Sequence, residues 1–132
     1  MMKNDDNLCN SPILVIDDDD DILEMTSFVL TQLGYKVETA NDGARGIAEL
    51  QANHWAPCLI LLDLMMPVMD GAAFRKKLLE IPAAANVPIV ILSGDTELAT
   101  KAAAMRVSGF EQKPISVERL AALAAKYCRA AS

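Results

Sequence analysis

Three short, unbroken apolar runs set the limits on how this chain can fold. Ile13-Leu14-Val15-Ile16 is the first, and residues 59–62 and 89–92 repeat the pattern. A continuous run, as opposed to an alternating one, is what a strand buried on both faces requires, as in a parallel sheet covered by helices. Two weaker segments differ. Tyr35-Lys36-Val37-Glu38-Thr39 alternates apolar with polar, and Gly109-Phe110-Glu111-Gln112 is short and half polar. Both are expected at the edges of the sheet.

Helical patterns fill the gaps. Ile22, Met25, Val29, Leu30 and Leu33 recur at helical spacing after an acidic run, and Gly34 follows as a stop signal. A second helix is expected over about 43–52. A third starts after Asp70, a good N-cap, and should turn Phe74, Leu78 and Leu79 inward until Pro82. The fourth, over about 96–107, and the fifth, over about 116–130, are rich in Ala, Leu and Lys.

The result is a βα unit repeated five times, an α/β fold with a doubly wound, parallel five-stranded sheet and right-handed crossovers. Three fully apolar strands and two weaker ones suit the order 2-1-3-4-5, the flavodoxin-like arrangement. In such a sheet ligands bind beyond the carboxyl ends of the strands, where the chain order reverses between the first and the third.

The residues at those strand ends are Asp17 and Asp18 after the first, Asp63 at the end of the third, Ser93 at the end of the fourth and Lys113 after the fifth. Three carboxylates brought close together repel, so they take up protons or are neutralised by a cation. Oxygen ligands without His or Cys select a hard ion, and a small carboxylate site suits Mg²⁺, with Mn²⁺ able to substitute. Lys113 adds a mobile point charge and Ser93 a hydroxyl donor, both suited to phosphoryl oxygens. A carboxylate, a metal, a lysine and a hydroxyl are the parts that phosphoryl transfer needs.

Composition excludes several classes. The chain has 132 residues and a formal charge of -6, which fits one domain and offers no clustered Lys and Arg for nucleic acid or an anionic membrane. No apolar stretch approaches the roughly 20 residues that span a bilayer. The first ten residues are polar and carry Asp5 and Asp6 in place of a secretory signal, so a cytoplasmic location is expected. The cysteines, Cys9, Cys58 and Cys128, are odd in number and widely spaced, and read as reduced thiols outside any disulfide framework or zinc pair.

Four blocks of sequence also resemble a known family. Ile13-Leu14-Val15-Ile16-Asp17-Asp18-Asp19, Leu61-Leu62-Asp63-Leu64-Met65-Met66-Pro67-Val68-Met69-Asp70-Gly71, Val90-Ile91-Leu92-Ser93-Gly94 and Gly109-Phe110-Glu111-Gln112-Lys113-Pro114 look like the CheY-like receiver domain of two-component response regulators. The blocks keep their order and spacing over about residues 12–129. The resemblance implies that Asp63 is the phosphoacceptor, attacking a phosphohistidine of a sensor histidine kinase or histidine phosphotransfer protein. It implies that Asp17, Asp18, Asp63 and the backbone carbonyl of Met65 hold Mg²⁺. Ser93 and Lys113 would contact the phosphoryl group, and the Lys113-Pro114 bond would be cis. Phe110 would be the aromatic that turns inward when Ser93 moves; lacking a hydroxyl, it should favour the buried rotamer more than a Tyr would. Met65 and Asp95 occupy positions that tune the phosphoryl lifetime in the family. Such a protein is a signalling switch that assists its own phosphotransfer and autodephosphorylation, not an enzyme with an outside substrate. Phosphorylation would alter the face made by the fourth helix, fifth strand and fifth helix, which would bind a downstream protein or a second copy.

Plainer readings hold for other residues. Asp20 and Asp21 suit the start of a helix through its dipole. The acidic run is not an EF-hand loop, since counting from Asp17 the sixth residue is Ile22 and the twelfth Phe28, where Gly and Glu are needed. His54, beside Trp55, falls at a helix end outside the crevice, and the seven methionines read as packing. The receiver unit is expected over residues 12–130 after a flexible tail at 1–11. No output domain is expected beyond it, although a receiver cut from a longer protein would look the same. The alternative is a small phosphatase of the haloacid dehalogenase type with Asp17 as nucleophile, since Asp17-x-Asp19 and Gly94-Asp95 resemble parts of its motifs. Against it, the second acid needed four residues on is Ala99, and the chain has no room for a substrate cap.

Overall fold

The computed structural model describes residues 11–53, 57–63, 71–81, 85–94 and 107–128. Its strands are β1 (Ile13–Ile16), β2 (Val37–Ala40), β3 (Leu59–Asp63), β4 (Ile89–Ser93) and β5 (Gly109–Gln112). Its helices are α1 (Asp20–Gln32), α2 (Gly43–Asn53), α3 (Gly71–Leu78) and α4 (Val117–Tyr127). All strand pairs are parallel and the order is β2-β1-β3-β4-β5. Every residue of β1, β3 and β4 is buried, whereas β2 and β5, at the edges, are partly exposed.

Side chains alternate across the sheet, and this divides the core into two layers. Leu14, Ile16, Ile60, Leu62, Ile89 and Ile91 meet Ile47 and Leu50 of α2 and Phe74 and Leu78 of α3 on one face. Ile13, Val15, Leu59, Leu61, Val90 and Leu92 meet Leu23 and Leu30 of α1 and Leu120 and Leu123 of α4 on the other. A parallel sheet needs this double cover, because neither face of a fully apolar strand tolerates water. At α2 the backbone comes very close to the sheet: a Cβ on Gly46 would lie 2.6 Å from the Ile16 side chain.

Helix ends follow from local chemistry. Asp19 caps α1 by accepting from the backbone N–H of Asp21 and of Ile22, and Gly34, with φ 99°, lets the chain leave α1 in the left-handed region. Ser116 caps α4 by accepting from the N–H of Arg119. The N-cap expected at Asp70 and the helix expected over 96–107 lie outside the described residues, apart from Val107.

Three expectations are corrected. The buried face of α1 is Leu23, Thr26 and Leu30, while Met25 is 55% and Leu33 40% exposed. Counting only apolar residues missed this face because it includes a threonine. Leu79 is also exposed, since α3 ends at Leu78 and the next residue turns away from the core. The cysteines are not all free thiols: Cys58 and Cys128 form a disulfide across a sequence separation of 70. Helices run antiparallel to the strands they follow, so the end of α4 arrives beside the start of β3, a proximity that spacing along the chain does not reveal.

Candidate functional site at the carboxyl edge of the sheet

Parallel strands bring their carboxyl ends to one side, and four of the five contribute a polar side chain there. Asp17 directly follows β1, and its N–H extends the ladder to Ala40 at the end of β2. Asp63 is the last residue of β3 and Ser93 the last of β4. Lys113 follows β5, and its N–H donates to the Ser93 carbonyl at 3.0 Å, tying the two strand ends together. The peptide bond between Lys113 and Pro114 is cis.

Asp17, Asp63 and Ser93 are buried, at 2%, 6% and 3% exposure. Buried carboxylates need partners, since an unpaired charge in this setting is costly. Asp17 has them on both oxygens. Its Oδ1 accepts the N–H of Asp19 at 2.9 Å, and its Oδ2 lies 2.7 Å from Lys113 Nζ. The same ammonium is 3.7 Å from Oδ1 of Asp63, so Lys113 bridges the ends of β1 and β3.

Asp18 is exposed and completes an acidic triad in which carboxylate oxygens of Asp17, Asp18 and Asp63 lie within 4.8 Å of one another. The three carboxylates are thus near enough for one hard cation to reach an oxygen of each once the side chains draw inward. All three donors are hard oxygens, and the set therefore fits Mg²⁺ and lacks the nitrogen or sulfur that would favour zinc. One face of the triad remains toward solvent through Asp18. A charged ligand could enter there.

Beside the crevice is an apolar groove of about 260 Å³ lined by Ile22, Met25, Thr26, Leu92, Lys113, Pro114 and Ile115. It explains why Met25 faces outward: α1 lends this side chain to the groove wall instead of to the core. On β5 the side chain of Phe110 is 48% exposed. Phe110 opposes Ile91 in the β4 register, and at the sheet edge its outer side has no strand to cover it. The neighbouring Glu111 takes Nε and Nη2 of Arg119 in a two-point ion pair that fastens β5 to α4. The hydrogen bond, and then the charge of Glu111, hold the Arg119 guanidinium above its ordinary pKa. Neither this pair nor the Asp19 cap was singled out from sequence; a carboxylate three residues before Ile22 was the available sign for the cap. Met65, Asp95 and His54 lie outside the described residues.

Known proteins share this arrangement. The family model for the response regulator receiver domain matches residues 13–125. The chemotaxis protein CheY of Treponema pallidum is 33% identical over 116 residues, covering 84% of this chain and 81% of that protein. The DNA-binding dual master transcriptional regulator RpaA of Synechocystis is 34% identical over 117 residues, but this chain spans only 46% of its length. Among solved structures, chemotaxis protein CheY4 of Vibrio cholerae superposes with a TM-score of 0.80 at 31% identity, covering 89% of this chain and 98% of that one. With an order of β2-β1-β3-β4-β5, acidic residues at the ends of its first and third strands and a family match over nearly its whole length, the chain belongs to the response regulator receiver domain family of two-component systems.

Proposed function

We propose that Asp63 accepts a phosphoryl group from a phosphohistidine in a Mg²⁺-dependent reaction, and that the acyl phosphate alters partner binding. The observation that carries this reading is the carboxylate triad within 4.8 Å, with Lys113 bridging Asp17 and Asp63. An Asp63 oxygen attacks phosphorus, the P–N bond to the donor ring breaks, and the ring nitrogen keeps that electron pair. Lys113 shifts part of its attraction from Asp17 to an equatorial phosphoryl oxygen, and the Ser93 hydroxyl donates to another. Asp17, Asp18, Asp63 and the Met65 carbonyl would hold Mg²⁺, which would supply charge neutralisation at the phosphoryl oxygens. Because the groups are already gathered, catalysis lies in positioning and needs no separate enzyme acid or base.

The donor in this reading is a sensor histidine kinase or a histidine phosphotransfer protein, which places the chain in the cytoplasm. The groove between Ile22 and Pro114-Ile115 adjoins Lys113 and supports docking of a histidine-bearing helix there. Output runs through Ser93 and Phe110. The outward Phe110 is the arrangement from which an inward turn would proceed, changing the β5–α4 face offered to an effector or a second copy. Among the described residues no helix is long and apolar enough to cross a membrane. The phosphatase alternative has less support, because the second acid that its last motif needs is Ala99 and the receiver-domain family model matches residues 13–125.

Acetyl phosphate with Mg²⁺ should add one phosphoryl group to the chain, and Asp63→Asn should abolish the uptake. Uptake that persisted in this variant would remove Asp63 from its assigned role.

A further inference from the structure

We propose that Cys58 and Cys128 are a reversible dithiol–disulfide couple that clamps the C-terminal end of α4 to the amino edge of the sheet. Four observations carry this. The two Cα atoms are 5.5 Å apart, within the range a bridge spans without moving the backbone. Cys58 immediately precedes β3 and is anchored by its N–H to the Pro12 carbonyl, a rigid post inside the sheet. Cys128 ends α4 and is the last member of its buried stripe, after Leu120, Leu123 and Ala124. Finally, α4 ends there without a left-handed cap, and the Cys128 N–H donates to the Ala124 carbonyl at 2.7 Å.

The position makes reversal practicable. Helix ends open at lower cost than sheet cores, so the sulfurs can be reached by local fraying of one helical turn. Cys58 is half-buried and Cys128 buried, which makes Cys58 the entry point. A Cys58 thiolate attacks a small-molecule disulfide such as glutathione disulfide, giving a mixed disulfide and releasing one thiol. The Cys128 thiolate then attacks the Cys58 sulfur, forming the internal bond and releasing the second thiol; the two cysteine protons end on the two released thiols and the oxidant gains two electrons. Reduction by two external thiols reverses each step. A lasting disulfide would be out of place in a reducing compartment, whereas an exchangeable one is not.

The consequence is local. The bond lies at the opposite edge of the sheet from Asp63, about 16 Å away along the five residues of β3. Oxidation therefore changes the anchoring of α4, a helix of the proposed partner face, and leaves the carboxylate triad alone. The couple itself does not depend on the phosphoacceptor assignment.

The test equilibrates the full chain across glutathione buffers from reducing to oxidising. Thiols are trapped by alkylation, bridges are mapped by peptide mass, and amide exchange is read over residues 124–128. The expected result is a Cys58–Cys128 bridge that forms and opens in the folded protein. Exchange at 124–128 should be at least tenfold faster when reduced, with β1, β3 and β4 unchanged. A Cys9→Ser variant should behave identically, and Cys58→Ser should show the reduced pattern under every buffer; the reduced parent chain gives the same comparison if that variant folds poorly. The proposal is overturned if the bridge never forms, if it opens only in denaturant, if Cys9 replaces either partner, or if exchange at the helix end is the same in both states.

Discussion

At the scale of single residues, the acidic run divides by geometry. Asp17 is buried against Lys113, Asp18 faces solvent beside it, Asp19 caps α1, and Asp20 and Asp21 fill the first helical turn. Five identical side chains thus take different roles because a strand ends and a helix begins within five residues. The division has a measurable consequence. Asp17→Asn removes one of three charged ligands, and Mg²⁺ affinity, read by calorimetric titration, should fall on the order of tenfold or more. Unchanged affinity would mean the ion sits elsewhere. The meeting of Asp17, Asp63, Ser93 and Lys113 was visible in the sequence because parallel topology carries every strand's carboxyl end to one edge. The exposure of Phe110 was not, since the rotamer of an aromatic on an edge strand depends on whether anything covers its outer side.

At the scale of elements, α1 does two jobs. Its inner face, Leu23, Thr26 and Leu30, packs on the sheet, while Ile22 and Met25 line the groove next to Lys113. Asp19→Ala removes the side chain that satisfies two N–H groups at the start of this helix. It should cost about 1 kcal/mol in urea unfolding, with little effect on phosphoryl uptake from acetyl phosphate. Ile22→Asp should instead leave folding nearly intact and slow transfer from the cognate phosphohistidine protein, because it puts a charge in an apolar docking groove. If protein-to-protein transfer kept its rate while acetyl phosphate uptake was also unaffected, the groove would not be the docking site. Periodicity located α1 and its C-terminal stop at Gly34, but not which face is buried: Thr26 is polar by type and buried by position, and Met25 is the reverse.

At the scale of the whole molecule, two apolar layers hold the sheet and leave its carboxyl edge as the polar opening. The layer beneath α2 and α3 is centred on Phe74, which is fully buried. Phe74→Ala should cost about 3–5 kcal/mol, lowering the denaturant midpoint of the entire chain; a midpoint change confined to α3 would show that the layers do not unfold together. Strand order was legible because three continuous runs and two weaker ones admit few arrangements. The Cys58–Cys128 contact was not, because it joins the start of one strand to the end of a helix 70 residues later, and no local pattern encodes that meeting.

The central claim is that the carboxylate triad and Lys113 make Asp63 the one phosphoryl acceptor. Peptide mapping after reaction with acetyl phosphate measures this directly. The phosphoryl group should lie on the peptide containing Asp63, in Mg²⁺ and not after chelation. A phosphoryl group on Asp17, or uptake unchanged by chelator, would contradict it.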